Sequence, residues 1–176
     1  EKDNKFYLFV AIDRISKFAI VRLYKNQTIE NSKIFLETVI RDCPYKIHTI
    51  LTDNGAEFTY RLLLKSLRPK KCHDFDLICK LNGIKHRLTK VRNPWTNKQI
   101  ERFNKTIKDS TTKIYHYDNF SQLEIYLQEF IHTYNLAKRL KTLKFKTPFD
   151  FLIEQYKIIP EVFHKNPLHY SKGLNI

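Results

Sequence analysis

The chain contains no methionine, not even at position 1. Translation begins with one, so the sequence is expected to be a fragment, a processed product or a misassigned reading frame. It has no apolar run near the roughly 20 residues that a spanning helix needs. Nor does it open with a basic stretch, an apolar core and a small-residue cleavage site, so no secretory leader is legible. Cysteine is scarce: Cys43, Cys72 and Cys79 are an odd number, which argues against a disulfide framework and for reduced thiols in a cytoplasmic protein. The grouping Cys72, His73, Cys79 offers only three ligands at a spacing unlike the usual zinc modules, so a structural zinc is the lesser reading. No internal repeat and no linker interrupt the chain. One domain is expected.

What is present points elsewhere. Hydrophobic residues make up 42% of the 176, enough for a packed core. Thirty-two Lys and Arg against 18 Asp and Glu give a formal charge of +14. Such an excess speaks to partners rather than to fold, and nucleic acid is the common polyanion. Acidic proteins remain a second class of partner. The wealth of Lys, Asn, Ile, Phe and Tyr suggests an AT-rich coding genome.

Residues 5 to 12 are almost continuously apolar, as in a strand covered on both faces. A polar turn at Asp13 to Ser16 leads to a second strand, Phe18 to Tyr24, which together predict a β-hairpin. Glu30 to Arg41 carries Phe35, Leu36, Val39 and Ile40 on one helical face and ends before Pro44. A short strand, Ile47 to Leu51, comes next. From Glu57 the pattern turns helical, interrupted by a basic loop with Arg61, Lys65, Arg68, Lys70 and Lys71. A helix from Asp74 to Leu81 stops at Asn82-Gly83, and Ile84 to Leu88 reads as a strand. A long helix from Lys98 to Tyr115 has Ile100, Phe103, Ile107 and Ile114 as its inner stripe. Another covers Ser121 to Leu136, with Ser121 and Glu124 as a capping box. Pro148 opens a last short helix, and the tail from Pro160 reads as mostly irregular. The mixture predicts an α/β fold.

Two acidic motifs carry the chemistry: Leu51-Thr52-Asp53-Asn54-Gly55-Ala56-Glu57-Phe58, and Pro94-Trp95-Thr96-Asn97-Lys98-Gln99-Ile100-Glu101-Arg102-Phe103-Asn104. Singly, each has a plain structural reading, a hairpin turn or a surface ion pair from Glu101 to Lys105. In this order, with Tyr134-Asn135, Arg139 and Thr147-Pro148 downstream, they resemble the DDE-type catalytic core of retroviral integrases and bacterial insertion-sequence transposases. The likeness spans roughly residues 5 to 155, leaving 156 to 176 as a C-terminal tail. It implies a ribonuclease-H-like mixed sheet flanked by helices. It also implies three carboxylates holding two Mg²⁺ (or Mn²⁺) ions for in-line displacement at phosphorus. Asp53 and Glu101 match two of the three, and Asn54 and Gly55 would let the chain turn sharply beside the metal. Lys105 and Lys108 share the helical face of Glu101, and with Lys98 and Arg102 they are the candidate DNA contacts. The family pattern has Gly where this chain has Lys98. The interval from Asp53 to Glu101 is longer by about a dozen residues, which a surface insertion at 61 to 73 absorbs at small cost.

Asp13 follows a strand and invites assignment as the first carboxylate. Only two strands precede the first helix, however, and Asp13 with Ser16 and Lys17 resembles the hairpin turn that ends the family's second strand. Asp13 is therefore read as a turn residue, with the metal-ligand role as the alternative. The expected sheet lacks its first, central strand, and the chain is expected to be inactive in strand transfer for want of the first aspartate. The implied partners are DNA, as element ends and target, and further copies of the chain. A non-catalytic DNA-binding remnant and a ribonuclease-H-like nuclease are the competing functions.

Overall fold

The computed structural model describes residues 6–90, 98–111 and 119–170. Strands β1 (Tyr7–Ile12) and β2 (Ala19–Tyr24) form the expected antiparallel hairpin, in register from Tyr7 opposite Tyr24 to Ile12 opposite Ala19. Asp13 shapes the turn: its Oδ2 accepts the Ser16 N–H at 2.8 Å and the Ser16 Oγ at 2.6 Å. The tightness forces Lys17 to φ 63°, a left-handed conformation that costs a side-chain-bearing residue about 1–2 kcal/mol.

Side chains alternate along a strand, so a wholly apolar one must be covered twice. On one face of β1, Leu8, Val10 and Ile12 pack with Val21 and Leu23 against Phe103, Ile107, Leu123, Leu127 and Ile131. On the other, Tyr7, Phe9 and Ala11 meet Phe35, Val39, Phe149 and Leu152. These layers come from α3 (Lys98–Ser110) and α4 (Phe120–Leu136) on one side, and from α1 (Ile29–Asp42) and α5 (Pro148–Ile158) on the other. Helix α1 starts at Thr28, whose side chain accepts the Asn31 N–H, and ends at Cys43 ahead of Pro44.

The remaining strands, β3 (Thr49–Thr52) and β4 (Lys85–Leu88), pair in parallel, with α2 (Asp74–Leu81) between them in sequence. A third cluster, Leu36, Phe75, Ile78, Cys79 and Ile84, joins this unit to α1. The strands thus make two separate two-stranded sheets. Among the described residues no strand pairs with the second edge of β1 or of β3. The open edge explains why only Phe9 of β1 is buried although both faces are covered.

The outer edge of β2 is closed by side chains instead. Asn135 Oδ1 accepts the Ala19 N–H at 2.9 Å and its Nδ2 donates to the Ala19 carbonyl at 2.8 Å. Gln128 donates to the Val21 carbonyl at 3.0 Å, and Arg22 bridges Gln128 and Asp42. Two amides of α4 thereby imitate a neighbouring strand.

Three expectations need correcting. The stretch after Glu57 holds turns and one 3₁₀ turn, Lys65–Leu67, with no α-helix before Asp74. Its Leu62, Leu64 and Leu67 are more than 60% exposed, so its apolar pattern finds no surface to bury against. Helix α4 is capped by Asn119, which accepts the Gln122 N–H, rather than by Ser121. Asparagine is at least as good a cap, and the earlier start sets Phe120 edge-on to Phe6, 5.1 Å between ring centres. The tail carries a 3₁₀ turn (Pro160–Val162) and α6 (Pro167–Tyr170), and Phe163 packs on Tyr45 and Tyr156. The expected extension of α3 to Tyr115 and the placement of Ile114 lie outside the described residues.

Removing the Asn135 amide should leave a buried N–H and C=O of Ala19 without partners. Asn135→Ala is expected to lower stability by about 1–3 kcal/mol, read from the urea midpoint; an unchanged midpoint would show that the edge needs no clamp. Burial pushes the Cys43 thiol up to about 11 and that of Cys79 up to about 12, the latter helped by the charge of Asp76. Raised thiol pKa values leave little thiolate at pH 8. Iodoacetamide should then label exposed Cys72 in the native protein and reach Cys43 and Cys79 only after denaturation. Equal labelling of all three would contradict the packing.

Candidate functional site

Asp53 stands exposed just past the C-terminal end of β3. Its Oδ1 accepts the Gly55 N–H at 2.9 Å, a local turn that fixes one carboxylate oxygen. The turn is pinned to the end of β4 twice: Thr89 N–H donates to the Thr52 carbonyl at 2.9 Å, and Asn54 Nδ2 donates to the Thr89 carbonyl at 3.0 Å. Gly55 was expected for backbone freedom, yet its φ is not positive. The reason for glycine is space. A Cβ there would stand 2.5 Å from Glu57 Oε2.

Glu57 is a feature that sequence reasoning passed over as the start of a helix. It is 8% exposed, its carboxylate takes a hydrogen bond from Gln27, and its carbonyl accepts the Ser32 Oγ at 2.5 Å. The Glu57 carbonyl thus ties the turn after Asp53 to Ser32 of α1, and its carboxylate to Gln27 just ahead of that helix. The only sequence signal was a Glu two residues beyond a glycine.

Glu101 sits in the first turn of α3 and is exposed, as are Lys98, Arg102, Lys105 and Lys108. The opposite face is fixed by Phe103, set 4.7 Å from the Tyr134 ring, and by Ile107. Gln99 Nε2 donates to the Asp13 carbonyl at 3.0 Å, which docks the start of α3 on the hairpin turn. The Asp13 carboxylate itself is engaged by Ser16. Cys72, His73 and Cys79 do not converge: His73 caps α2 through the Phe75 N–H and meets the Ala56 carbonyl with its other nitrogen, while Cys72 is exposed and Cys79 buried.

Among the described residues no three His, Cys, Asp or Glu side chains gather closely enough to hold a metal ion. The available donors are nonetheless of one kind. Beside the carboxylates of Asp53 and Glu101 stand the buried side-chain oxygens Asn54 Oδ1 and Asn104 Oδ1, without a hydrogen-bond partner among the described residues, and each belongs to one of the two motifs. Oxygen donors alone suit a hard cation such as Mg²⁺ or Mn²⁺; they are no zinc or copper site.

The model of the integrase core domain matches residues 1–94, more than half of the chain, and a second integrase core domain model matches residues 82–148. The chain belongs to the integrase core domain family. It is 29% identical over 160 residues to the protein named "Putative integrase ORF3" of Spiroplasma virus SpV1-C74, covering 85% of this chain and 42% of that protein. It is 25% identical over 154 residues to the transposase of insertion sequence element IS904 from Lactococcus lactis, covering 85% and 56%. The chain therefore spans about half the length of these relatives. In fold it is similar to the catalytic core domain of BIV integrase, with a TM-score of 0.65 at 19% identity over 88% of this chain and 90% of that one. It is equally similar to a chain of the simian T-cell lymphotropic virus intasome solved with PP2A regulatory subunit B56 gamma, at TM-score 0.65 and 22% identity over 85% and 49%. The fold is that of a ribonuclease-H-like integrase core. Integrase cores as a family use divalent metal ions and act on DNA. Among the described residues no helix is long and apolar enough to cross a membrane.

The packing of Glu57 under Gly55 can be tested by a double-mutant cycle. Gly55→Ala should cost about 1–3 kcal/mol through overpacking, and distinctly less once Glu57→Ala has cleared the space. Equal costs in both backgrounds, by thermal unfolding, would mean that Glu57 is not what excludes a side chain at 55.

Proposed function

We propose that this chain is the core of a DNA integrase or transposase in which Asp53 and Glu101 are two carboxylates of a divalent-cation site. The observation that carries this reading is the placement of the two family motifs: one carboxylate at a strand end, one in the first turn of a helix, each accompanied by an unpartnered amide oxygen. Bound Mg²⁺ or Mn²⁺ would polarise the phosphoryl oxygen and lower the pKa of an attacking water or DNA 3′-hydroxyl. The protein's own part is to hold and orient. Gly55 fixes one oxygen of Asp53, so the other is the donor. The Glu101 stripe continues into Lys105 and Lys108, ammonium groups spaced to follow a phosphate backbone, with Lys98 and Arg102 beside them. DNA ends and target, and further copies of the chain, are the partners this assigns, in the cytoplasm.

One observation favours a second, non-catalytic reading. Among the described residues no three His, Cys, Asp or Glu side chains gather as a cation site, and the carboxylate of Asp13 is occupied by Ser16. Two carboxylates hold one ion weakly with water completing its shell. We therefore expect these 176 residues to bind DNA and cation without robust strand transfer.

Filter binding on duplex DNA and a Mg²⁺-dependent strand-transfer assay separate the outcomes. Affinity should fall at least about tenfold between 50 and 200 mM salt, and Lys105→Glu with Lys108→Glu should weaken it more than the same changes at Lys157 and Lys165. Robust transfer that Asp13→Asn abolishes would make Asp13 the third ligand. A flat salt response, with no preference for the α3 lysines, would sink both readings.

A further inference from the structure

Behind Asp53 lies a chain of polar groups that neither the hydrophobic core nor the proposed cation site accounts for. Thr52, the last residue of β3, is 9% exposed. Its Oγ1 donates to the Asp53 carbonyl at 2.9 Å and lies 2.8 Å from His86 Nε2. On the far side of the ring, His86 Nδ1 is 2.5 Å from Asp76 Oδ1. The imidazole is 6% exposed and lies against Phe75, 4.8 Å between ring centres, so its orientation is set by packing as well as by hydrogen bonds. The three residues come from three elements: Thr52 from β3, His86 from β4 and Asp76 from the first turn of α2.

We propose that Thr52, His86 and Asp76 form a relay that positions Asp53 for its cation. The inference rests on Asp53 being a cation ligand. The physical case is the point of attachment. A strand pairing of β3 with β4 needs only backbone groups, and these are already joined in register from Thr49 to Thr52. The relay ends instead on the carbonyl of Asp53, one residue beyond the strand, where the backbone torsion decides the direction in which the carboxylate leaves the chain. The single Thr52 hydroxyl proton goes to the Asp53 carbonyl, so His86 donates at both nitrogens, Nε2–H to the Thr52 hydroxyl oxygen and Nδ1–H to Asp76. Partners behind a ligand commonly set its orientation and change metal affinity by 10–100-fold when removed. These are positioning residues: none of them is placed to touch the cation.

Thr52→Val removes the hydroxyl without changing its volume, Thr52→Ser keeps it, and His86→Phe keeps the ring stacking while removing both nitrogens. Mn²⁺ affinity is measured on the full chain by electron paramagnetic resonance of the free ion, with thermal unfolding recorded alongside. The relay predicts a Kd raised roughly tenfold in Thr52→Val and in His86→Phe, no further loss when the two are combined, and near-native affinity in Thr52→Ser. The affinity loss should persist in Thr52→Val even if its melting temperature is native, which a merely stapling role would not produce. Native Mn²⁺ affinity in Thr52→Val, in a protein whose binding Asp53→Asn abolishes, overturns the relay and leaves the cation site standing. Binding that Asp53→Asn does not alter removes the cation reading, and the relay's purpose with it. If His86→Phe fails to fold, the Thr52 pair decides alone.

Discussion

The structure depends on a hairpin that must be covered on both faces. In β1 the even residues Leu8, Val10 and Ile12 and the odd residues Tyr7, Phe9 and Ala11 are all apolar, so neither face tolerates water. Helices α3 and α4 close one side, α1 and α5 the other. A slip of one residue would exchange the two sets and unfit both layers, which fixes the register. The polar links follow the same hairpin. Gln99 holds α3 on its turn, and Asn135 and Gln128 hold α4 along its outer edge. The position of Glu101 is thus a consequence of how a strand pair was buried.

Asp53 belongs to the other half of the molecule, the parallel pair β3–β4 with α2. The halves meet through α1, whose Phe35 and Val39 face the hairpin cluster while Leu36 faces α2. One helix therefore relates the two carboxylate-bearing units. Glu57 reinforces it, since its carbonyl receives the Ser32 hydroxyl of α1. Among the described residues neither outer edge of either strand pair meets another strand; that of β2 is closed by side chains of α4, and an open edge hydrogen-bonds to water or to another strand.

Much of this was legible in the residues. The hairpin, α1, α2 and α5 follow from period and punctuation, because apolar spacing and Pro or Gly stops act locally. The two motifs led to the integrase core family, which the family models match. Other features were not legible, for reasons that are physical. Whether the leucines between 62 and 67 build a helix depends on a surface to cover, and none is offered. Asn119 outcompetes Ser121 as a cap because the earlier start brings Phe120 to Phe6. Gly55 looked like a residue chosen for its torsion, and only the buried Glu57 beneath it reveals a need for space.

The sequence by itself determined the family, through the two motifs that carry Asp53 and Glu101, and the cationic stripe of Lys105 and Lys108, since these are matters of residue type and short spacing. Tertiary structure alone decided which partners those residues keep. Asp13 gives its carboxylate to Ser16, Asn135 becomes part of a sheet edge 116 positions away, and His86 joins Thr52 to Asp76 across three elements. Hydrogen bonds act over about 3 Å, and no spacing along the chain reveals which distant groups the packing of an apolar hairpin will bring within that reach.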